Sequence, residues 1–340
     1  MQTIEIVMVA PSRVGKTSLI AAMYEYIKPA FEKTQCYIEP VGNTVNELQR
    51  LKIDLYKLFE ESSPAEFRGG GISASVSPRE YKFRIGKKGR SADLELVFID
   101  LPGGYYTTDN DEIRKQVNEI IKRALVTFIP IDTAALFASN NKLNAINEEI
   151  NQPSFIKSFY NDLLNNGDLL KNKLVFVTPV KCEKYNQQPN GTEEIFQKLC
   201  DDETYRSLLS LFTNDEINSN IELIFCPVET LGGIHVVRTE RDKDGNPEHI
   251  LKRIGSYAPR NCHLPLSYLF YYILRTVKEQ KNQNPVWSWF RNLFKMNTYL
   301  EESIKILSEG IKKARIEHEM FILQTKMPDV QNKSIKNYIS

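Results

Sequence analysis

Residues 10 to 17, Ala-Pro-Ser-Arg-Val-Gly-Lys-Thr, constrain this chain more than any other stretch. Before them lies a short apolar run, Ile4, Ile6, Val7, Met8 and Val9, of the kind that a strand buried on both faces carries. After them Leu19, Ile20, Met23 and Tyr24 recur at helical spacing from Ser18 to Tyr26. A strand, a turn ending in Gly-Lys-Thr and a helix together make a phosphate-binding loop. Gly15 lets the backbone approach phosphates, Lys16 can reach the β- and γ-phosphates, and the Thr17 hydroxyl can ligate magnesium. The helix dipole from Ser18 onward adds positive potential at that end. Ala10 stands where the pattern has its first Gly, which keeps the turn if φ stays negative there. A chance match in an ordinary strand-to-helix turn is disfavoured by the flanking strand and helix.

The other bulk properties exclude more than they assert. A chain of 340 residues with 41% hydrophobic and 26% charged content is an ordinary globular composition that can bury a core. The net charge of +1 gives no general attraction to nucleic acid or acidic lipid, so no nucleic-acid partner is expected. Cys36, Cys182, Cys200, Cys226 and Cys262 form no C-x-x-C pair and have no metal-site spacing with the scattered histidines. A reducing cytoplasm is the expected setting. Met1 runs directly into the first apolar run, leaving no room for a cleavable leader, and Leu264 to Leu274 is too short to span a bilayer.

Along the chain, Pro29, Pro40, Gly42 and Asn43 punctuate a loop, and Thr44 with Glu47 reads as a capping box for an inserted helix at about 43–62. Leu48, Leu51, Leu55, Leu58 and Phe59 give that helix a packing face. Pro64 and Gly69-Gly70-Gly71 follow as a flexible segment. Tyr81, Phe83 and Ile85, the turn Gly86 to Gly89 and the run Leu94 to Ile99 predict an antiparallel hairpin beside the first strand. The returning strand ends in Asp100-Leu101-Pro102-Gly103. An acidic residue there, downstream of a phosphate loop, is where P-loop NTPases hold the magnesium-side carboxylate, and the Gly103 N–H can face a γ-phosphate. The same four residues are also compatible with a plain strand-ending turn.

Further on, Glu112 to Arg123 reads as a helix and Leu125 to Ile131 as a buried strand ending at Asp132. Residues 134 to 170 read as mostly helical with an Asn-rich surface loop near 139 to 151. A strand at 174 to 179 runs into Val180-Lys181-Cys182-Glu183, a helical region covers 192 to 212, and a strand at 221 to 225 runs into Cys226 to Gly233. Strands alternating with helices predict an α/β fold: a mostly parallel P-loop NTPase sheet with one antiparallel hairpin strand and helices on both faces. The domain is expected to span 1–280. A charged hairpin excursion at about 234–256, across Asp244-Gly245-Asn246, reads as surface decoration, and Pro265 to Val277 as the closing helix. A helical extension, 281–340, carries ten Lys/Arg against six Asp/Glu. Trp287, Phe290, Leu293 and Phe294, then Leu300, Ile304, Leu307 and Ile311, give it apolar faces for a partner protein, self-association, a membrane surface or the body of the domain.

The order of these motifs resembles the translation-factor-related class of P-loop GTPases over about residues 3 to 278. Ala10–Thr17 matches the phosphate loop and Asp100–Gly103 the D-x-x-G switch motif. Val180-Lys181-Cys182-Glu183 matches the base-reading N-K-x-D, with Val replacing Asn. The resemblance implies GTP or GDP and Mg2+ as ligands, with Lys181 along the guanine ring, Glu183 accepting from guanine N1 and N2, and the Val228 N–H on O6. It implies nucleotide contacts from Ser12, Val14, Gly15, Lys16, Thr17 and Ser18, and magnesium ligation by Thr17, Asp100 and a switch hydroxyl. Ser73, Ser75 and Ser77 are the candidates for that hydroxyl, and Ser75 is taken. The strings Val-Thr-Pro-Val-Lys-Cys-Glu-Lys-Tyr, Pro-Arg-Glu-Tyr-Lys-Phe and Thr-Leu-Gly-Gly-Ile resemble the bacterial double-GTPase type, which implies a conflict or defence setting.

The residue after D-x-x-G, where Ras-like members carry a water-positioning Gln, is Gly104, which has no side chain for that role. Arg13 occupies the loop position where guanylate-binding proteins carry an arginine that folds over the nucleotide. With Lys16 and Gly103 it completes the expected catalytic set; equally, Arg13 can point outward to a surface carboxylate. Three readings follow: a GTP-hydrolysing switch, a nucleotide-binding scaffold that hydrolyses little, and an ATPase, the last favoured by Val180 alone.

Overall fold

The computed structural model describes residues 1–33, 36–68, 77–92, 94–105, 108, 110–138, 145–165, 173–213, 221–279 and 297–325. Strand β1 (Gln2–Met8) enters the phosphate loop and α1 (Lys16–Lys33) leaves it. There follow β2 (Cys36–Pro40), α2 (Asn43–Glu61), β3 (Phe67–Arg68), and the hairpin β4 (Arg79–Lys87) and β5 (Leu94–Asp100). Next come α3 (Asp111–Arg123), β6 (Val126–Asp132), α4 (Thr133–Leu136), α5 (Ala145–Asn151), α6 (Pro153–Asn165) and β7 (Lys173–Val180). The chain continues through α7 (Glu183–Asn186), α8 (Gly191–Asp201), α9 (Glu203–Thr213) and β8 (Ile221–Phe225). A second hairpin, β9 (Ile234–Arg241) and β10 (Pro247–Arg253), precedes α10 (Leu264–Glu279), α11 (Asn297–Ile316) and β11 (Phe321–Gln324).

The main sheet runs β11-β8-β7-β6-β1-β5-β4-β2. Its centre, from β8 to β5, is parallel, and β4, β2 and β11 pair antiparallel at the two sides. This is the α/β architecture expected from the alternation of strands and helices, with the β4–β5 hairpin next to β1. Side chains of each central strand alternate between two apolar layers, which is why these strands read as continuous hydrophobic runs. Ile4, Ile6 and Met8 face one layer with α1, α10 and α11; Val7 and Val9 face the other with α3, α6, α8 and α9. Across the first layer Phe83, Phe98, Phe128 and Phe176 form a row of ring contacts that ends on Tyr268.

Several local expectations need correction. Residues 36–40 form an edge strand paired with β4, which tolerates Pro40 because an edge residue can forgo its N–H. Pro29 lies inside α1, which continues to Lys33. The Thr44–Glu47 capping box does not form: Gly42 is the N-cap without a side-chain bond, and Thr44 Oγ1 accepts from the Lys82 N–H at 2.7 Å, tying α2 to β4. Of the Asn-rich stretch, 139–144 lie outside the described residues and 145–151 are helical, with Asn147 and Asn151 buried. The 192–212 region is two helices, with the Asp202 side chain capping the second through the Thr204 and Tyr205 N–H groups.

In the C-terminal segment, Trp287, Phe290, Leu293 and Phe294 lie outside the described residues. Helix α11 packs on α10, burying Leu307, Ile311 and Ala314, so the body of the domain is what covers that apolar face. The segment is not helical throughout, since β11 pairs antiparallel with β8 and extends the sheet. Among the described residues no helix is long and apolar enough to cross a membrane.

Candidate functional site

The carboxyl ends of β1, β5, β6, β7 and β8 converge where open parallel sheets place their ligands. At the end of β1, Lys16 is nearly enclosed, and its Nζ donates to Ala10 O at 2.8 Å and Pro11 O at 2.9 Å. Asp100 Oδ1 lies 3.7 Å from the same ammonium. Thr17 Oγ1 donates to Asp100 Oδ2 at 2.9 Å. Burial pushes the Lys16 ammonium down and the Asp100 carboxyl up, each opposed by the other's charge. Asp100 Oδ1 is buried without a hydrogen-bond partner, which is costly unless a ligand completes the group.

A hydroxyl and a carboxylate beside a phosphate loop are the hard oxygen donors that suit magnesium, which binds through few protein ligands and keeps the rest for phosphate and water. Thr17 and Asp100 therefore fit the ion. Ser73 and Ser75 lie outside the described residues, and Ser77 is exposed.

Backbone geometry explains the loop's composition. Ala10 is fully buried and is not among the residues with positive φ, so Ala serves there. Gly15 takes φ 119, and Arg13 takes a left-handed φ of 67. Val14 is wholly buried, so it can offer a ligand only its backbone; Ser12 and Ser18 are half-buried. Gly103 packs directly on this loop: a Cβ there would sit 2.0 Å from the Ser12 N. The D-x-x-G turn and the phosphate loop are thus in contact. The Arg13 side chain is exposed, and its positive charge acts on Asp242 in the β9–β10 turn.

On the base side, Lys181 has φ 53, and its Nζ reaches back to donate to Arg13 O at 3.0 Å and to Asp132 Oδ2 at 2.5 Å. Val180 faces the loop, its Cγ2 being 3.6 Å from where a Cβ on Gly15 would stand. Glu183 is buried at the start of α7 and accepts from the Leu231 N–H at 3.0 Å, with the Gly232 N–H also donating. Burial pushes its carboxyl up to about 7, and those N–H groups oppose the shift. The Val228 N–H is already donated to Pro179 O at 2.8 Å, and the Leu231 and Gly232 N–H groups are donated to Glu183. Glu229, fully buried, holds this loop by accepting from Asn186 at 3.0 Å beneath Arg260.

Two residues not singled out by the sequence motifs, Asp132 and His249, join the candidate site. Asp132 is fully buried; its Oδ1 caps α4 through the Ala135 N–H, and its Oδ2 takes Lys181 and His249 Nε2, the latter at 2.7 Å. The Lys181 ammonium and the hydrogen bonds from Lys181 and His249 outweigh burial and hold its carboxyl well below the usual range. Its place at the end of an apolar strand, like that of Asp100, was a usable signal. His249 had none, because it arrives on β10, whose hairpin brings it to Asp132.

Loop and sheet together form a strand–loop–helix unit on a mostly parallel α/β sheet. No protein-family model matches the chain, and no curated protein matches it in sequence. Among solved structures it is similar to the Saccharomyces cerevisiae Ski7 GTPase-like domain bound to GTP, at 14% identity over 66% of this chain and 43% of that one, TM-score 0.33. It is similar to the same domain bound to GDP and inorganic phosphate, at 13% identity over 83% and 51%, TM-score 0.35. It is also similar to the cytosolic domain of the Thermotoga maritima FeoB iron transporter in a GDP form, at 12% identity over 93% and 95%, TM-score 0.29. The chain spans about half the length of the Ski7 chains it matches. Superposition is loose in each case, so a functional reading rests on the geometry of the site.

Proposed function

We propose that this protein is a magnesium-dependent guanine-nucleotide-binding protein that hydrolyses GTP, in the conflict or defence setting that the double-GTPase resemblance implies. The observation that carries the reading is the pairing, across one loop, of the Lys16–Thr17–Asp100 cluster with the Lys181–Glu183 wall, joined by the Lys181 bond to Arg13 O. Lys16 would exchange its two carbonyl partners for β- and γ-phosphate oxygens. Thr17 and Asp100 would hold magnesium, which when bound neutralises phosphate charge. Gly103, fixed against Ser12, brings its N–H toward the γ-phosphate position. Glu183 in its ionised form would accept from guanine N1 and N2, donors that adenine does not present on that edge.

Titration calorimetry with GTP, GDP and ATP in magnesium tests this. GTP and GDP should bind and ATP should bind far more weakly; equal affinity for ATP and GTP removes the guanine reading. A second reading, a nucleotide-holding scaffold with little hydrolysis, is favoured by Gly104, which has no side chain to orient water. Single-turnover hydrolysis by the purified chain, alone and at concentrations that promote self-association, separates the two.

A further inference from the structure

We infer that His249 is a positioning residue of the base site, acting on Lys181 through Asp132; the inference rests on the guanine-nucleotide reading. Val180 is a buried apolar residue, so the position before Lys181 offers no polar side chain to steady it. Asp132, the register partner of Val180 on the neighbouring strand β6, takes that place. A wholly buried carboxylate must be compensated, and Asp132 shares Oδ2 between the Lys181 ammonium at 2.5 Å and His249 Nε2 at 2.7 Å.

An ionised carboxylate cannot donate, so His249 Nε2 carries the hydrogen in either charge state of the ring. The other ring nitrogen, Nδ1, lies 2.9 Å from Thr239 Oγ1 on the paired strand β9, where Thr239 and His249 are register partners. Thr239 therefore fixes the ring plane, while Asp132 sets the tautomer of the neutral ring, and the Thr239 hydroxyl can serve Nδ1 as donor or acceptor. The hairpin is itself tied down from several sides. Lys184 donates to Val237 O, Gln187 bonds His235, and Arg241 pairs with Glu149. Ring orientation is thus set by rigid elements on one side and by Asp132 on the other.

The consequence falls on Lys181. Its ammonium is divided between Asp132 and Arg13 O, so any loss of donors to Asp132 draws it toward the carboxylate. The side chain then leaves the loop and the surface along which a purine would lie. His249 touches neither phosphates nor magnesium ligands, and its removal should weaken recognition of the base alone.

The test uses the full chain. Affinity for GDP and for inorganic pyrophosphate is measured by calorimetry, and kcat and KM for GTP are measured in parallel, for wild type, His249→Ala, His249→Gln and Thr239→Val. The expected result is a loss of about tenfold in GDP affinity for His249→Ala, the scale of one charge-assisted hydrogen bond. Pyrophosphate affinity and kcat should stay unchanged, KM should rise, and His249→Gln should return GDP affinity to within about twofold because its amide N–H can replace Nε2–H. A purely structural role would shift GDP and pyrophosphate together and would not be rescued by Gln. If His249→Ala does not fold, Thr239→Val decides: weaker GDP binding with unchanged pyrophosphate binding supports the inference, and unchanged GDP binding overturns it. Wild type that fails to bind GDP overturns the guanine reading itself, whereas wild type that binds GDP no better than a folded His249→Ala overturns only this inference.

Discussion

The Lys181 ammonium lies 3.0 Å from the carbonyl oxygen of Arg13, and both residues hold left-handed backbones, with φ of 53 and 67. For an L-residue with a full side chain that conformation costs about 1–2 kcal/mol, so the site stores strain at two points that face each other. The left-handed turn at Lys181 folds its side chain back over the loop, and the one at Arg13 turns its carbonyl toward the ammonium. Lys181→Met keeps most of the apolar stem and removes the charge. It should weaken GTP and GDP binding by about ten- to a hundredfold, the range for a hydrogen bond to a charged group. Calorimetry reads this directly, and affinity within twofold of wild type would remove Lys181 from the base site.

Glu183 gives a pH dependence whose sign is fixed by its burial. Its carboxyl is pushed up to about 7, so it is protonated in the free protein below that pH. Guanine N1–H and N2–H donate, and they require the ionised form. Affinity for GDP should therefore rise with pH up to about 7 and level off above it, with a slope on the acid side of about tenfold per pH unit. Glu183→Gln should flatten the profile at a reduced affinity. A profile of the wild type that is already flat between pH 5.5 and 8 would show that Glu183 does not read the base.

How much of this was legible in the sequence differs by element. The central strands were visible because burial on both faces makes them continuous apolar runs, and Lys16, Thr17 and Asp100 were visible because they close such runs. Strand β2 was not, since an edge strand with only Ile38 turned inward carries no run to read. The capping box at Thr44 failed because a hydroxyl that satisfies a helix N-terminus can as well satisfy the Lys82 N–H of a neighbouring strand, and sequence separation hides that competitor. The resemblance implies the Val228 N–H on guanine O6, whereas in the structure that N–H bonds Pro179 O on β7, a pairing across strands that local sequence does not encode. His249 needed the β9–β10 register and the packing of that hairpin on α7, neither of which local spacing encodes.

Gly103 is under a steric constraint that can be tested without nucleotide. A Cβ there would stand 2.0 Å from the Ser12 N and 2.7 Å from the Pro11 carbonyl carbon, both backbone atoms that cannot swing aside. Gly103→Ala should destabilise the protein by about 1–3 kcal/mol, as overpacking does, because the D-x-x-G turn must withdraw from the loop. Thermal melts should show the loss, while Gly104→Ala, whose Cβ meets nothing within 4 Å, should melt near wild type. Equal melting temperatures for Gly103→Ala and wild type would mean that the two segments are not in contact in solution.

Asp100 and Thr17 predict a split between metal and nucleotide. Asp100→Asn keeps the Thr17 partner but removes the charge that faces Lys16 and magnesium. The magnesium concentration that supports half-maximal GTP turnover should rise by at least about tenfold, while GDP affinity in chelator should change little, because one carboxylate ligand supplies much of a magnesium site's charge. Unchanged magnesium dependence would place the ion elsewhere.

The last prediction concerns Arg13. Asp242 accepts from the Asn246 N–H at 2.8 Å, the main reason that its carboxyl lies below the ordinary range, and the charge of Arg13 adds to that effect. The hairpin that steadies Lys181 through His249 thus also presents an anion to the loop's exposed arginine. If Asp242 draws the guanidinium away from the phosphates, Asp242→Asn should raise the rate of GTP hydrolysis, and removing Arg13 from that variant should lower it by up to about a thousandfold, the lower end for an arginine on a developing γ-phosphate charge. The double variant should match Arg13→Ala, since releasing an arginine that is absent changes nothing. Single-turnover rates of the three variants decide the matter: a faster Asp242→Asn that stays fast without Arg13 would separate the hairpin's effect from the arginine, and equal rates for Asp242→Asn and wild type would show that Asp242 does not hold the arginine back.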